Sequence, residues 1–150
     1  MAYTLIRADE IFSTGLPKPR VFLGGTSKGR DWRSMVLQRF ESDDITFISP
    51  KRDPFVDPEL DPVAHARQVE WERRALDECD IAVFWLGEGL NNQAARVEMG
   101  YALGAGKPTL IGADENFLGA EHLTAFGGLV VSSSIEGLIE RFASLMAKYE

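Results

Sequence analysis

Ile81-Ala82-Val83-Phe84-Trp85-Leu86, followed a short loop later by Asn91-Asn92-Gln93-Ala94-Ala95-Arg96-Val97-Glu98-Met99-Gly100-Tyr101-Ala102-Leu103-Gly104, reads as a strand that runs into a helix. The first part is apolar without alternation, the pattern of a parallel strand covered on both faces. In the second part, helical spacing places Glu98 on one face with Ala94, Ala95, Tyr101, Ala102 and Ala105. None of these is charged and most are too small to fill space, so a hollow is expected beside the acid. The helix dipole alone favours a glutamate in the first turns. That accounts for an acid near the start of the helix, but not for one on its alanine face. A helix entered directly from a strand begins at the carboxyl edge of the sheet, where open α/β folds bind ligands.

Four further apolar runs lie on either side: Arg20-Val21-Phe22-Leu23-Gly24, Ile45-Thr46-Phe47-Ile48, Pro108-Thr109-Leu110-Ile111-Gly112 and Gly128-Leu129-Val130-Val131. Helical patterns separate them. One spans about 31–40 with Trp32, Met35, Val36 and Phe40 as its inner stripe. A second starts at Asp61-Pro62, an N-cap residue followed by proline at the first helical position, and runs to Glu78. The third starts near Asn92 and ends at Gly104–Gly106 before Lys107-Pro108. The last starts at Ser133, spaced from Glu136 as in a capping box. The expected fold is α/β: one doubly wound, flavodoxin- or Rossmann-like domain whose five-stranded parallel sheet is ordered 2-1-3-4-5. Residues 1–18 read as an amino-terminal arm preceding a domain over 19–150. The loop over 51–61, long for a strand-to-helix connection, reads as functional.

A chain of 150 residues, 45% of them hydrophobic, is enough for one domain with a real core. Its net charge of −7 argues against nonspecific binding to polymeric nucleic acid. A small ligand is expected instead. No apolar run approaches a membrane span and no leader opens the chain, so no membrane partner and a cytoplasmic location are expected. The single cysteine, Cys79, excludes an internal disulfide, and His65 and His122 lack partners at metal spacing, so no metal site is expected.

The first of the five runs leads into Gly24-Gly25-Thr26-Ser27-Lys28-Gly29-Arg30-Asp31. Glycines after a strand bring backbone N–H groups close to an anion, or simply permit a tight turn. The segment is neither a Walker loop nor a dinucleotide fingerprint. Lys28, Arg30, Arg33, Lys51 and Arg52 concentrate positive charge after two strands, as a ligand anion or a solvated surface would require. Gln68, Glu70, Trp71 and Glu72 lie on the second helix, where a carboxylate is able to hold a hydroxyl or protonate a leaving group.

Val21 to Thr26, Asp31-Trp32-Arg33, Gln68 to Glu72 ahead of Cys79-Asp80-Ile81, and Val97-Glu98-Met99-Gly100-Tyr101-Ala102-Leu103 together resemble the nucleoside 2-deoxyribosyltransferase-like family, which is related to 2'-deoxynucleoside 5'-phosphate N-hydrolases. The resemblance extends over roughly residues 20 to 131. It implies that Glu98 is the nucleophile at the anomeric carbon and Glu72 the second acid, at a position where the family usually has aspartate. Asn92 occupies a ligand-contacting position that holds aspartate in transferases and serine in phosphate-preferring hydrolases. Gly24, Gly25 and Thr26 would line the sugar or phosphate end, with Asp31, Trp32, Arg52, Asp53 and Met99 as further substrate-binding candidates. The implied activity is cleavage of the N-glycosidic bond of a (deoxy)nucleoside or nucleotide through a glutamyl-glycosyl intermediate, with transfer to another base or to water. No cofactor is implied, and a homo-oligomer is. A nucleotide-binding module without turnover and an NAD glycohydrolase are the competing readings.

Overall fold

The computed structural model describes residues 2–52, 56–87, 92–115 and 117–149. In chain order, the elements are β1 (Thr4–Arg7), β2 (Arg20–Gly25), α1 (Trp32–Arg39), β3 (Thr46–Ser49), α2 (Pro62–Glu78), β4 (Ile81–Trp85), α3 (Gln93–Gly104), β5 (Thr109–Gly112), α4 (Ala120–Gly127), β6 (Val131–Ser132) and α5 (Ile135–Ala147). The strands form one sheet, ordered β1-β3-β2-β4-β5-β6, in which every pairing is parallel. The expectation of five strands ordered 2-1-3-4-5 is therefore corrected to six. The extra strand, β1, comes from residues 4–7, and Thr4 to Arg7 align with Thr46 to Ser49 on the outer edge of β3. Ile6 is buried there, and the Tyr3 ring meets Phe47 edge-on at 5.8 Å. Four residues followed by polar sequence give too short a pattern to be recognised as a strand.

Alternation along the central strands divides the interior in two. Phe22, Ala82 and Phe84 point to the side covered by α2 and α3, where they meet Ala75, Leu76, Ala95, Met99 and Ala102. Val21, Leu23, Val83 and Trp85 point to the side covered by α1 and α5, where they meet Trp32, Val36, Leu138 and Phe142. Each strand is buried on both faces, which is why its sequence is continuously apolar.

Caps fix where the helices begin. Asp61 accepts from Ala64 N at 3.0 Å with Pro62 in the first turn, as its sequence suggests. On α5 the cap is Ser134, extended at φ −145°, and not Ser133; its hydroxyl accepts from Gly137 N at 3.0 Å. α4 has no counterpart in the sequence reading, because the helix is short and none of its residues is fully buried; of them, Ala120 and Leu123 pack in part against the core.

The chain leaves β2 for β3 on one side and then crosses to β4 on the other. Between the carboxyl ends of β2 and β4, connections therefore diverge and open a crevice. Among the described residues, the Gly24-Gly25-Thr26 turn, Leu86, Gly87 and Asn92 border it.

Candidate active site

Glu98 lies in the second turn of α3 and faces α2, where Glu72 lies in the third turn. Between the two helices is a cavity of about 620 Å³, lined by His65, Val69, Glu72 and Leu76 on one side and Ala94, Val97, Glu98 and Tyr101 on the other. The hollow beside the alanine face is present. The two carboxyl groups are hydrogen-bonded to each other, and burial, followed by the charge of Glu72, pushes the Glu98 carboxyl up to about 8. Glu98 Oε2 is buried with no hydrogen-bond partner among the described residues. Gln68, one turn before Glu72, donates its Nε2 to Glu72 Oε1 at 2.8 Å. Gln68, Glu72 and Glu98 therefore form a chain of polar side chains that spans the two helices.

The turn after β2 is held from below by Arg33. Its Nε donates to Leu23 O at 2.9 Å, and its terminal nitrogens reach Gly25 O at 3.3 Å, Thr26 O at 3.4 Å and Ser27 Oγ at 3.0 Å. Burial draws this guanidinium down to about 10, opposed by the charges of Glu98 and Asp31. Arg33 thus shapes the turn from within the protein and contributes nothing to an exposed positive surface.

The glycines have a packing reason. A Cβ on Gly24 would lie 2.4 Å from the Phe84 ring, and one on Gly25 would lie 2.0 Å from Trp85 O, at a φ of +108°. The close approach of β2 to β4 demands both residues, whatever binds beyond them.

Thr26 and Asn92 lie together in a second cavity of about 700 Å³ at the carboxyl edge, bordered also by Lys28, Arg30, Asp114 and the start of α5 at Ser134. Among the described residues, this larger cavity shares no lining residue with the one between α2 and α3, yet Asn92 and Gln93, adjacent in sequence, line one each. Asn92 adopts a left-handed backbone, φ 36°, and donates its Nδ2 to Leu86 O at 2.7 Å, tying the start of α3 to the end of β4.

The remaining site candidates are dispersed. Asp31 caps α1, accepting from Ser34 N and Ser34 Oγ at 3.3 and 2.7 Å. Trp32 is 1% exposed and donates to Thr26 O, and Met99 is equally buried among the core side chains, so neither presents a face to a ligand. Arg52 is paired with Asp9 and stands over the Trp71 ring. Asp53 lies outside the described residues. Gln68, His65 and Arg33 are not among the expected site residues. Gln68 and Arg33 lie in segments that carry the family resemblance, and Arg33 belongs to the basic cluster read as a ligand or solvent surface, but nothing in the sequence marks His65 as part of a site.

A family model described as "Nucleoside 2-deoxyribosyltransferase like" matches residues 18–117, two thirds of the chain. The protein belongs to this family. The nucleoside 2-deoxyribosyltransferase-like chain also has the fold of a solved structure, the CMP N-glycosidase BcmB of Clostridium botulinum. The two share 15% identity at a TM-score of 0.56, over 83% of this chain and 98% of the other. No curated protein sequence matches it significantly. Among the described residues, no helix is long and apolar enough to cross a membrane.

Proposed function

We propose that this protein cleaves the N-glycosidic bond of a (deoxy)nucleoside or nucleotide, with Glu98 as nucleophile and Glu72 as general acid. The observation that carries this reading is the pair itself: two carboxyl groups in contact beside a cavity, one held well above the ordinary carboxylate range. Membership of the family and the fold it shares with a CMP N-glycosidase support the same chemistry.

Proton accounting links the roles. In the resting pair the shared proton is on Glu98. Its transfer to Glu72 arms both groups at once, leaving a carboxylate to attack and a carboxylic acid to donate. Glu98 then bonds to the anomeric carbon while the electron pair of the breaking bond goes to the base nitrogen, which takes the proton from Glu72. In the second half an incoming base or water attacks the anomeric carbon, Glu98 departs as a carboxylate, and Glu72 accepts the proton of the newcomer. Burial of Glu98 beside an apolar cavity strengthens its interaction with the oxocarbenium-like charge.

The site is completed, in this reading, by a second copy of the chain. Val69 and Val97 are 50% and 74% exposed on facing helices and line the same cavity as Glu72 and Glu98. An apolar rim of this kind marks an interface. A cytoplasmic location belongs to the same proposal.

Incubation with a panel of nucleosides and 5'-monophosphates, with and without an acceptor base, followed by chromatography, tests the reading. Base release by the wild type and none by Glu98→Ala is the expected result. Binding by calorimetry with no base released by the wild type would instead make the protein a nucleotide-binding module.

A further inference from the structure

Buried polar atoms without partners are scarce in folded proteins, because each forfeits about 1–3 kcal/mol of hydration. Among the described residues they are Arg20 Nε, Arg52 Nε, Gln68 Oε1, Glu98 Oε2 and Ser132 Oγ. Arg20 opens β2 at the amino edge of the sheet, and Ser132 ends the short outer strand β6. Of the other three, Glu98 lines the cavity of the proposed site, while Gln68 and Arg52 are joined to residues of α2, the helix that carries Glu72. Glu98 lies in the second turn of α3. Gln68 is on α2 and hydrogen-bonded to Glu72. Arg52 follows β3 and stands 5.9 Å over the ring of Trp71, one turn along α2 from Gln68.

The orientation of the Gln68 amide follows from its neighbour. A carboxylate only accepts, so the amide nitrogen faces Glu72 and the amide oxygen is the end left over. That oxygen is buried and can only accept, so the group that satisfies it must bring an N–H or an O–H. In the proposed reaction Glu72 meets the nitrogen of the departing base, and Gln68, hydrogen-bonded to Glu72 from one turn earlier on the same helix, is the neighbouring group within reach of that base.

We propose that Gln68 is the base-reading residue of this site: its amide oxygen accepts an N–H from the edge of the bound base while its amide nitrogen holds Glu72. The substrates are then nucleosides or nucleotides whose base carries such a donor, an exocyclic amine or a lactam N–H. With Oε1 of Glu72 occupied by Gln68, the proton delivered to the base travels on Oε2. The inference rests on the N-glycosidase reading above, but it is testable apart from it, because recognition is measurable without turnover.

The test compares matched substrates that differ in the donor: nucleosides and 5'-monophosphates of adenine and hypoxanthine against purine, and of cytosine and uracil against 2-pyrimidinone. Affinities are measured by calorimetry in a Glu98→Gln background, and kcat/KM in the parent. Donor-bearing bases of the preferred ring type should bind about 10- to 100-fold tighter than their donor-less partner. Gln68→Met, close in size and without hydrogen-bonding groups, should reduce that ratio to within about threefold of unity. It should also lower kcat more for poor leaving bases than for good ones, which a merely structural change would not do. Equal affinity for matched partners in the parent protein would overturn the proposal without using any Gln68 variant. So would a ratio that survives Gln68→Met, or discrimination that follows the sugar hydroxyls and ignores the base. If the wild type binds the panel but releases no base, the cleavage reading fails while the affinity ratios still decide the role of Gln68. If it binds none, both fail.

Discussion

At the scale of single residues, the chemistry depends on where one proton sits. Glu98 is raised above the unfolded carboxylate value, so its ionisation opposes folding as pH climbs from the ordinary carboxylate range through about 8. Glu98→Gln removes that titration. Its melting temperature should exceed the wild type's at pH 8 to 9 and match it near pH 4, a difference read by calorimetric scans across pH. In the proposed mechanism the singly protonated pair is the active form, so kcat/KM should fall as pH rises past about 8. Glu72→Gln should invert that limb. With no acid left to deprotonate, the residual rate should increase with pH as Glu98 ionises, most visibly for bases that leave without protonation. A falling limb retained in Glu72→Gln would show that the proton is held elsewhere. The placement of Glu98 was readable because helical spacing alone put it among alanines. Arg33 was not, since its four acceptors lie on a turn that exists only once β2 and α1 have packed together.

At the scale of elements, the turn after β2 is over-determined. Gly25→Ala would place a methyl on the Trp85 carbonyl oxygen at a backbone angle that L-residues avoid, and should cost about 2 kcal/mol or more in urea melts. On the opposite face, Phe142 is fully buried with its ring 4.9 Å from Phe40. Phe142→Ala should cost about 3–5 kcal/mol by the same measurement and leave the pH profile of the survivors unchanged, because α5 lies across the sheet from the carboxyl pair. Elements with a continuous apolar core, such as β2 and β4, announced themselves. β1 and α4 did not, the first because four residues hold too little pattern, the second because it is short and buries no residue fully. The start of α5 was misplaced by one serine, since Ser133 and Ser134 carry the same capping chemistry and only the backbone angle separates them.

At the scale of the whole molecule, the proposed site lies between α2 and α3, and its apolar rim stays open. If a second copy closes that rim, Val97→Lys should give a monomer by sedimentation and lose base release together with assembly. A monomeric wild type that turns over at full rate would remove the second copy from the mechanism. The order of the strands was largely legible, because apolar runs separated by helical patterns leave few ways to wind a parallel sheet. The pairing of Glu72 with Glu98 across helices came only with the family resemblance, because the two are brought together by tertiary packing that no single segment encodes.

The segment behind β1 brings the opening residues of the chain onto the helix that carries Glu72. Asp9 grips Arg52, the Glu10 carbonyl accepts the Trp71 indole at 2.9 Å, and Phe12 stacks on the same indole at 5.5 Å. Trimming these residues, or fusing a bulky tag against them, would strip β3 of its neighbour and leave its amides and carbonyls free to recruit foreign strands. Insolubility and weakened turnover would then arrive together in such a shortened protein, with every residue of the carboxyl pair untouched.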